Sequence, residues 1–325
     1  MEKQIKSICA IVVTYNRKEL LLRCIRELLK QTYPLNSILI IDNASTDQTF
    51  ETLCEYFNST ETVKSEQIIT LSQPIQKTKI LIYRTSKNIG GAGGFHTGIK
   101  IAKSMNIFQA YWLMDDDGYP NPSCLETLLP YIDQYNYVMP VSIDIEDHAK
   151  LSWVSKLKDK KKKTIFYNEL KKSWGDIMYY VYPFNGCLFN NHLIDIAGNI
   201  KKELFIWGDD YEHYFRCLKK GITPITITKA EFYHPANKIQ THPILLNKIQ
   251  IPYVESKLRF ICLIRNWTYI YKENNKYFHI LRSFIAYSWL FIITRKCDLK
   301  GYKLYIKAFY DGLTNNFTRH FKYLN

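Results

Sequence analysis

The chain predicts an α/β fold with a doubly wound sheet, followed by a helical C-terminal region. Three observations predict it. A continuous apolar, β-branched run opens the sequence at Ile8–Val13; such runs then alternate with segments of helical periodicity; and polar clusters fall where the runs end. In sheets of this kind ligands lie beyond the carboxyl ends of the strands, so the clusters mark the expected site.

The run Ile8-Cys9-Ala10-Ile11-Val12-Val13 shows no polar alternation, which fits a strand buried on both faces. Leu20, Leu21, Cys24, Ile25, Leu28 and Leu29 then recur at helical spacing. A second strand, Ser37 to Ile41, ends at Asp42, and Asp42–Asp47 supplies loop and cap residues before a helix at Gln48–Tyr56. Ser59–Lys79 is polar with one short apolar patch and reads as a surface insertion. A third strand, Ile80–Tyr83, leads through a glycine-rich loop into a helix from about Phe95 to Met105. A fourth, Ala110–Met114, ends in Asp115-Asp116-Asp117. Lys156–Lys163 holds six lysines and one aspartate and reads as a solvated loop. From about Leu245 the chain turns aromatic and basic, so the expected division is residues 1–244 and 245–325.

Composition narrows the class. Of 325 residues 46% are hydrophobic and 23% charged, values of an ordinary globular protein that exclude disorder and fibrous repeats. The net charge is +14, and residues 245–325 supply +10 of it, with 14 Lys/Arg against 4 Asp/Glu and 18 aromatics. An anionic partner is expected. The eight cysteines form no CxxC pair, which suits reduced thiols in a cytosolic protein and argues against a disulfide frame or zinc site. The first apolar run is too short for a secretory signal, and the longest, Phe284–Thr294, is well short of the roughly 20 residues that cross a bilayer.

The glycines of Asn88-Ile89-Gly90-Gly91-Ala92-Gly93-Gly94-Phe95 fit neither G-x-G-x-x-G nor a P-loop, because Ile99 follows Gly98 where lysine is required. A structural turn and a ligand loop feeding a helix N-terminus remain equal readings. Asp115-Asp116-Asp117 places three like charges at the end of a buried strand, an arrangement that calls for a cation or solvent. Hard carboxylate oxygens together with phosphate oxygens suit Mg²⁺ or Mn²⁺; the competing reading is an acidic capping turn. Trp207-Gly208-Asp209-Asp210-Tyr211-Glu212-His213 precedes an amphipathic helix. One acid caps a helix; two exceed that need, and a carboxylate among aromatics can serve as a general base. His234, in Glu231-Phe232-Tyr233-His234-Pro235 after the β-like run Pro224–Thr228, is a structural histidine or, beside a metal, a ligand.

Three of these segments, Asn88–Phe95, Met114–Asp117 and Trp207–Asp210, taken with Ile11-Val12-Val13-Thr14-Tyr15-Asn16-Arg17 and Ile40-Ile41-Asp42-Asn43-Ala44-Ser45-Thr46-Asp47, resemble in content and order the inverting family-2 glycosyltransferases of GT-A fold, a Rossmann-like mixed sheet. The likeness is greatest to their galactofuranosyltransferase and rhamnosyltransferase branch and covers about the first 240 residues. The resemblance implies that Thr14 and Asp42 hold the uracil and ribose end of a nucleotide sugar, with Asn16 and Arg17 nearby. Asn88, Gly90, Gly91 and Gly93 would shape the sugar-phosphate pocket together with Trp207. Asp115, Asp117 and His234 would hold Mn²⁺ or Mg²⁺, Asp115 and Asp116 would also face the donor, and Asp210 would be the base with Asp209 beside it. The triple Asp departs from the D-x-D of many relatives. The implied activity is transfer of galactofuranose from UDP-galactofuranose to a glycan or lipid-linked acceptor in bacterial cell-surface polysaccharide synthesis, with dTDP-rhamnose as the alternative donor.

The C-terminal residues Phe278, Leu281, Arg282, Ile285, Trp289 and Ile292–Arg295 mix aromatics with cations, which suits either an anionic membrane surface or an aromatic core with solvated lysines. Peripheral attachment to the cytoplasmic face of the membrane is the expected location; a homo-oligomer contact is another use of the same region. A nucleic-acid-binding protein with a vestigial nucleotide fold is the competing class. It is disfavoured because no reading motif accompanies the basic residues and the acidic clusters would repel phosphate.

Overall fold

The computed structural model describes residues 6–324 except 63, 76, 160, 181–183, 237–240 and 246–248, with backbone alone for 72–75. It divides into two compact units, Met1–Lys202 with His213–Asn237, and Glu203–Glu212 with Lys238–Asn325. The sequence suggested a single cut after residue 244. Here the short segment Glu203–Glu212 leaves the α/β part of the chain and belongs with the C-terminal helices.

In chain order the first unit contains β1 (Ile8–Thr14), α1 (Lys18–Leu29), β2 (Ser37–Asp42), α2 (Thr49–Tyr56), β3 (Ile68–Ile75), β4 (Thr78–Arg84), α3 (Gly90–Ser104), β5 (Ala110–Asp115) and β6 (Tyr119–Pro120). It continues through α4 (Cys124–Leu128), α5 (Ile132–Tyr135), β7 (Tyr137–Asp144), β8 (Lys150–Lys156), β9 (Lys163–Phe166), α6 (Tyr167–Trp174), β10 (Ile177–Met178), β11 (Cys187–Asn190) and α7 (Asn191–Ala197). Helix α8 (Asp209–Lys219) starts in the second unit and ends in the first, ahead of β12 (Ile225–His234).

The strand order is β10-β12-β7-β11-β5-β1-β2-β4-β3. β1 pairs in parallel with β2 and β5, and β2 in parallel with β4. Every residue of β1 and β2 is buried, as their unbroken apolar runs require. Parallel pairing brings Thr14, Asp42 and Asp115 to one edge of the sheet, with Thr14 beside Asp42 and Val13 beside Asp115. The remaining strands make the sheet mixed: β11 runs antiparallel to β5 and β7, and β12 runs parallel to β7.

Two local expectations change. The supposed insertion at Ser59–Lys79 contains β3, antiparallel to β4 at the sheet edge, where Ile69 and Leu71 turn inward and Ile68 stays exposed. The glycine-rich segment is helix, not loop: α3 begins at Gly90, whose φ is +74°. A Cβ on Gly94 would lie 2.5 Å from Val13 Cγ1, and one on Gly98 would lie 2.4 Å from Ile11 Cγ2. Those two glycines let α3 lie flush on β1. A Cβ on Gly91 would meet nothing within 4 Å, so close packing does not demand glycine there.

The lysine-rich segment joins β8 to β9 as a hairpin connection, and Lys160 lies outside the described residues. Seven of the eight cysteines are buried and Cys297 is exposed. The buried ones serve as small apolar residues.

The second unit holds a hairpin of β13 (Thr241–Ile244) and β14 (Ile249–Pro252), then α9 (Lys257–Glu273), α10 (Tyr277–Trp289) and α11 (Leu299–Leu313). Ser256 caps α9 by accepting from the Arg259 N–H. Phe260, Ile264, Tyr287, Leu290, Phe291 and Tyr305 form its core, and Tyr287 stacks on Tyr305 at 5.0 Å between centroids. Much of the aromatic excess is therefore packing. The opposite side of α10 is different: Tyr277, Phe278, Leu281 and Ile285 stay exposed, Phe278 at 72%.

Helix α10 runs on through a π-helical turn at Leu290–Thr294, which makes 18 helical residues. By length and composition alone this stretch is sufficient to cross a membrane. The sequence reading counted only the apolar run Phe284–Thr294; the helix extends upstream because Tyr277–Ser283 offers a single cation, Arg282, and no helix breaker.

Candidate active site

The cluster at the ends of β1 and β5 is built around Asp116. Its carboxylate is buried, 2% exposed, and accepts from Thr14 Oγ1 at 2.7 Å and from Arg17 Nη1 at 3.1 Å. The same Arg17 nitrogen reaches Asp117 Oδ2 at 2.7 Å. The like-charge problem posed by three adjacent acids is thus partly met from within the chain: a guanidinium lies between two of them. Burial pushes the Asp116 carboxyl up to about 6 against the pull of Arg17 and Thr14.

His234 completes the group. Its Nδ1 lies 2.7 Å from the carbonyl oxygen of Pro235, which can only accept, so Nδ1 carries a proton. Nε2 lies 3.3 Å from Asp117 Oδ1, a buried oxygen that accepts no hydrogen bond among the described residues. In a neutral imidazole this geometry would aim a nitrogen lone pair at a carboxylate oxygen. The axis therefore calls for a positive charge, either a proton on Nε2 or a cation bound by both atoms. Burial pushes the Asp117 carboxyl up, but His234 and Arg17 outweigh it and hold it below the ordinary carboxylate value.

The sheet explains how residues so far apart in sequence meet. A register shift between Ile227 and Glu231 divides β12, and its last residues pair with both β7 and β6. Tyr233 lies opposite Tyr119, just after the acidic triplet, and this pairing brings His234 to Asp117. Trp153 packs on the imidazole at 4.7 Å between centroids. The expected ligand set was Asp115, Asp117 and His234. Among the described residues no three His, Cys, Asp or Glu side chains converge as a metal cage; the structure supplies the Asp117–His234 pair, while Asp115 ends β5 beside Val13.

The other predicted donor residues divide by what their side chains already hold. Asp42 is fully buried: Oδ1 accepts from the Ser45 N–H at 2.9 Å, while Oδ2 has no hydrogen-bond partner among the described residues and lies 3.6 Å from Arg84 Nε. Burial raises its pKa. Asn16, at φ +54°, accepts from the Thr46 N–H at 2.7 Å and so ties the end of β1 to the loop after β2. Asn88 accepts from the Gly90 N–H at 2.8 Å, and Gly90, Gly91 and Gly93 occupy the first turn of α3.

The second unit carries Trp207, Asp209 and Asp210. Asp209 is buried, and Asp210 is partly exposed and accepts from the Tyr211 N–H at 2.7 Å. Burial raises both carboxyls, and for Asp209 the charge of Asp210 adds to it. Arg259 lies over the Trp207 ring at 6.0 Å.

The profile described as Glycosyl transferase family 2 matches residues 9–191, which include the whole strand-end acidic cluster except His234. The chain belongs to that family. Galactofuranosyltransferase GlfT1 of Mycolicibacterium smegmatis is 25% identical over 318 residues, covering 96% of this chain and 98% of that protein. GlfT1 of Mycobacterium tuberculosis is 25% identical over 305 residues, 91% of this chain and 92% of that one.

Two solved structures share the fold. GalNAc-T7 with UDP, GalNAc and Mn²⁺ aligns with a TM-score of 0.54 at 15% identity, over 72% of this chain and 44% of that one. The mannosyltransferase PcManGT from Pyrobaculum calidifontis, in complex with GDP-Man and Mn²⁺, also gives 0.54, at 13% identity, over 84% of this chain and 65% of that one. This chain is thus a family-2 glycosyltransferase of GT-A fold.

Two further residues, Asn43 and Arg23, hold the segments around the strand ends in place. Asn43 accepts from the Ile89 N–H at 2.9 Å and donates to the Gly90 carbonyl at 3.0 Å, fixing where α3 starts. Arg23 donates to the Asp117 carbonyl at 3.1 Å. Asn43 lies within the Asp42–Asp47 loop motif and Arg23 sits on the helix after β1, but neither has a local signal for its role; their partners come from distant segments.

The buried acidic pair has a stability consequence. Its pKa values are raised on folding, so its contribution is favourable below the unfolded value of about 4 and is lost as pH rises through the folded values. Asp209→Asn is expected to raise Tm relative to the parent at pH 8, with the gap closing toward about pH 4. Thermal unfolding across that range checks it, and a parent enzyme that gains on the variant with rising pH would contradict it.

Proposed function

We propose that this family-2 glycosyltransferase moves galactofuranose from UDP-galactofuranose, with inversion, onto a glycan or lipid-linked saccharide, using Mn²⁺ or Mg²⁺. The donor assignment draws on the GlfT1 relatives, which align along nearly the whole chain. The observation that carries the metal reading is the Asp117–His234 pair, a carboxylate oxygen and an imidazole nitrogen 3.3 Å apart at the end of the acidic triplet. Hard-oxygen and imidazole donors suit Mn²⁺ and Mg²⁺ sites that also take phosphate oxygens.

Asp117 and His234 would hold the ion, which when bound supplies Lewis acidity to the departing diphosphate. Thr14 and Arg17 fix Asp116, and Arg17 remains partly exposed, available to phosphate. Asp42 Oδ2, buried without a hydrogen-bond partner among the described residues, is the acceptor that a nucleoside N–H or hydroxyl would satisfy. Asp210 takes the proton of the attacking acceptor hydroxyl, and attack opposite the leaving group inverts the anomeric centre.

A donor screen with purified protein and Mn²⁺, reading nucleoside diphosphate release, tests this reading. UDP release from UDP-galactofuranose is expected, abolished by EDTA and restored by Mn²⁺. Turnover of dTDP-rhamnose in its place would reassign the donor, and full activity in EDTA would remove the metal.

The reading places the enzyme on the cytoplasmic face of the membrane, with the exposed side of α10 against anionic lipid. Phe278, Leu281 and Ile285 supply the apolar stripe, and Arg282, Lys296, Lys300 and Lys303 are exposed cations on or following that helix. Co-sedimentation with vesicles containing anionic lipid is expected, weakened at high salt and lost in a Phe278→Glu/Leu281→Glu variant. Concentration-dependent self-association without vesicle binding would assign the face to a second copy instead.

A further inference from the structure

The loop that carries the acidic pair is strained and held from one side. Phe205, Trp207 and Gly208 have φ of +68°, +62° and +89°. Two of the three are large residues in the left-handed region, which costs free energy and persists only where the surroundings fix it. A Cβ on Gly208 would lie 3.0 Å from Ile270 Cδ1, so the loop also passes close to α9.

What fixes it is one amide. Asn266, fully buried on α9, directs Nδ2 at three carbonyl oxygens of the loop: Leu204 at 2.9 Å, Ile206 at 2.9 Å and Trp207 at 2.7 Å. Its Oδ1 accepts from Arg265 Nε at 2.8 Å. Because a guanidinium only donates, this contact sets which end of the amide is oxygen and commits the NH₂ to the loop.

Arg265 is itself fully buried and gives Nη2 to the Leu204 carbonyl at 2.8 Å and Nη1 to His320 Nδ1 at 2.7 Å. His320 must be neutral to accept, in keeping with a pKa pushed down to about 4 by burial and by the Arg265 charge. Among the described residues none of the Arg265 hydrogen bonds is to a carboxylate; the charge of buried Asp311 on α11 acts on it without a hydrogen bond, and the Phe317 ring lies 5.2 Å away. Burying a cation on such terms is expensive where stability is the only gain, since a well-packed apolar side chain would avoid the desolvation.

We infer that Asn266 and Arg265 are positioning residues that clamp the strained Leu204–Gly208 loop and so set where Asp209 and Asp210 stand at the start of α8. This rests on the reading of Asp210 as the base. The clamp converts the φ > 0 turn from a fluctuating conformation into a fixed one, so the carboxylate is held before the acceptor arrives. The further charged group that acts on the pair is Glu212 on the same helical turn; Arg259 lies over the Trp207 ring and Arg265 on the Leu204 carbonyl.

The test compares full-length Asn266→Ala, Asn266→Ser and Asp210→Asn enzymes in UDP-sugar turnover, UDP binding and pH profile. Asn266→Ala is expected to lower kcat roughly a hundredfold, the loss that a misplacement of about 1 Å brings, with UDP affinity within about twofold of the parent. Its acid limb of kcat/KM should also move to lower pH, because a loosened loop admits water to carboxyls that burial had raised. Asn266→Ser keeps one donor and should show the same changes at smaller size; it carries the test where the alanine variant does not fold.

Parental kcat and an unmoved acid limb in these variants, with Asp210→Asn inactive, would overturn the clamp and leave the base assignment standing. Substantial turnover by Asp210→Asn would overturn both.

Discussion

Asp210→Asn is expected to lower kcat by about a thousandfold while UDP binding stays near the parental value. General-base catalysis contributes on the order of 10²–10⁴ in rate, and an amide of the same shape cannot accept the proton. The substitution is otherwise mild. Asn keeps an oxygen for the Tyr211 N–H and removes a charge whose burial raises its pKa, so the variant should fold at least as stably as the parent above neutral pH.

Asp210 is favoured over Asp209 for this role because it is the less buried of the two and so the one an acceptor hydroxyl can approach. Burial alone raises the Asp210 carboxyl, whereas Asp209 is raised by burial and by the like charge of Asp210. Single-turnover assays with UDP-galactofuranose, alongside calorimetric UDP binding, separate the chemical step from binding. Retained turnover would take Asp210 out of the role, and lost UDP binding would show that the residue serves the donor.

His234→Ala has the second large effect. It removes one of the two atoms that face each other across 3.3 Å and leaves Asp117 Oδ1 buried without its partner. If the pair holds a divalent ion, Mn²⁺ affinity falls by about two orders of magnitude or more and raised Mn²⁺ recovers part of the activity; loss of an outer-sphere partner alone typically costs 10–100-fold. If the pair is only an internal ion pair, the variant loses stability and its Mn²⁺ dependence matches the parent. Mn²⁺ titration of activity, with thermal unfolding measured in parallel, decides between them. The chain can hold Asp117 in its absence because Arg17 contributes a second positive contact at 2.7 Å.

The strands β1, β2, β4 and β5 and the helices between them were legible because unbroken apolar runs and helical spacing report burial directly. The edge strand β3 is hidden in the sequence because polar neighbours dilute its alternation, and the start of α3 because its glycines read as a loop. The second has a plain cause: Gly94 and Gly98 are required by contact with Val13 and Ile11, and no spacing rule within α3 reveals what lies against it.

The amino-acid order alone thus determined the strand–helix alternation, the polar strand ends and the chemical character of the candidate site, since each depends on residues near one another in the chain. Only the tertiary structure decided that Arg17 sits between Asp116 and Asp117, that the divided strand β12 delivers His234 to Asp117, and that Asn266 grips the loop before Asp209. Those pairings follow from strand register and helix packing. Register and packing are set by the summed contacts of many distant residues, a quantity that no local pattern contains.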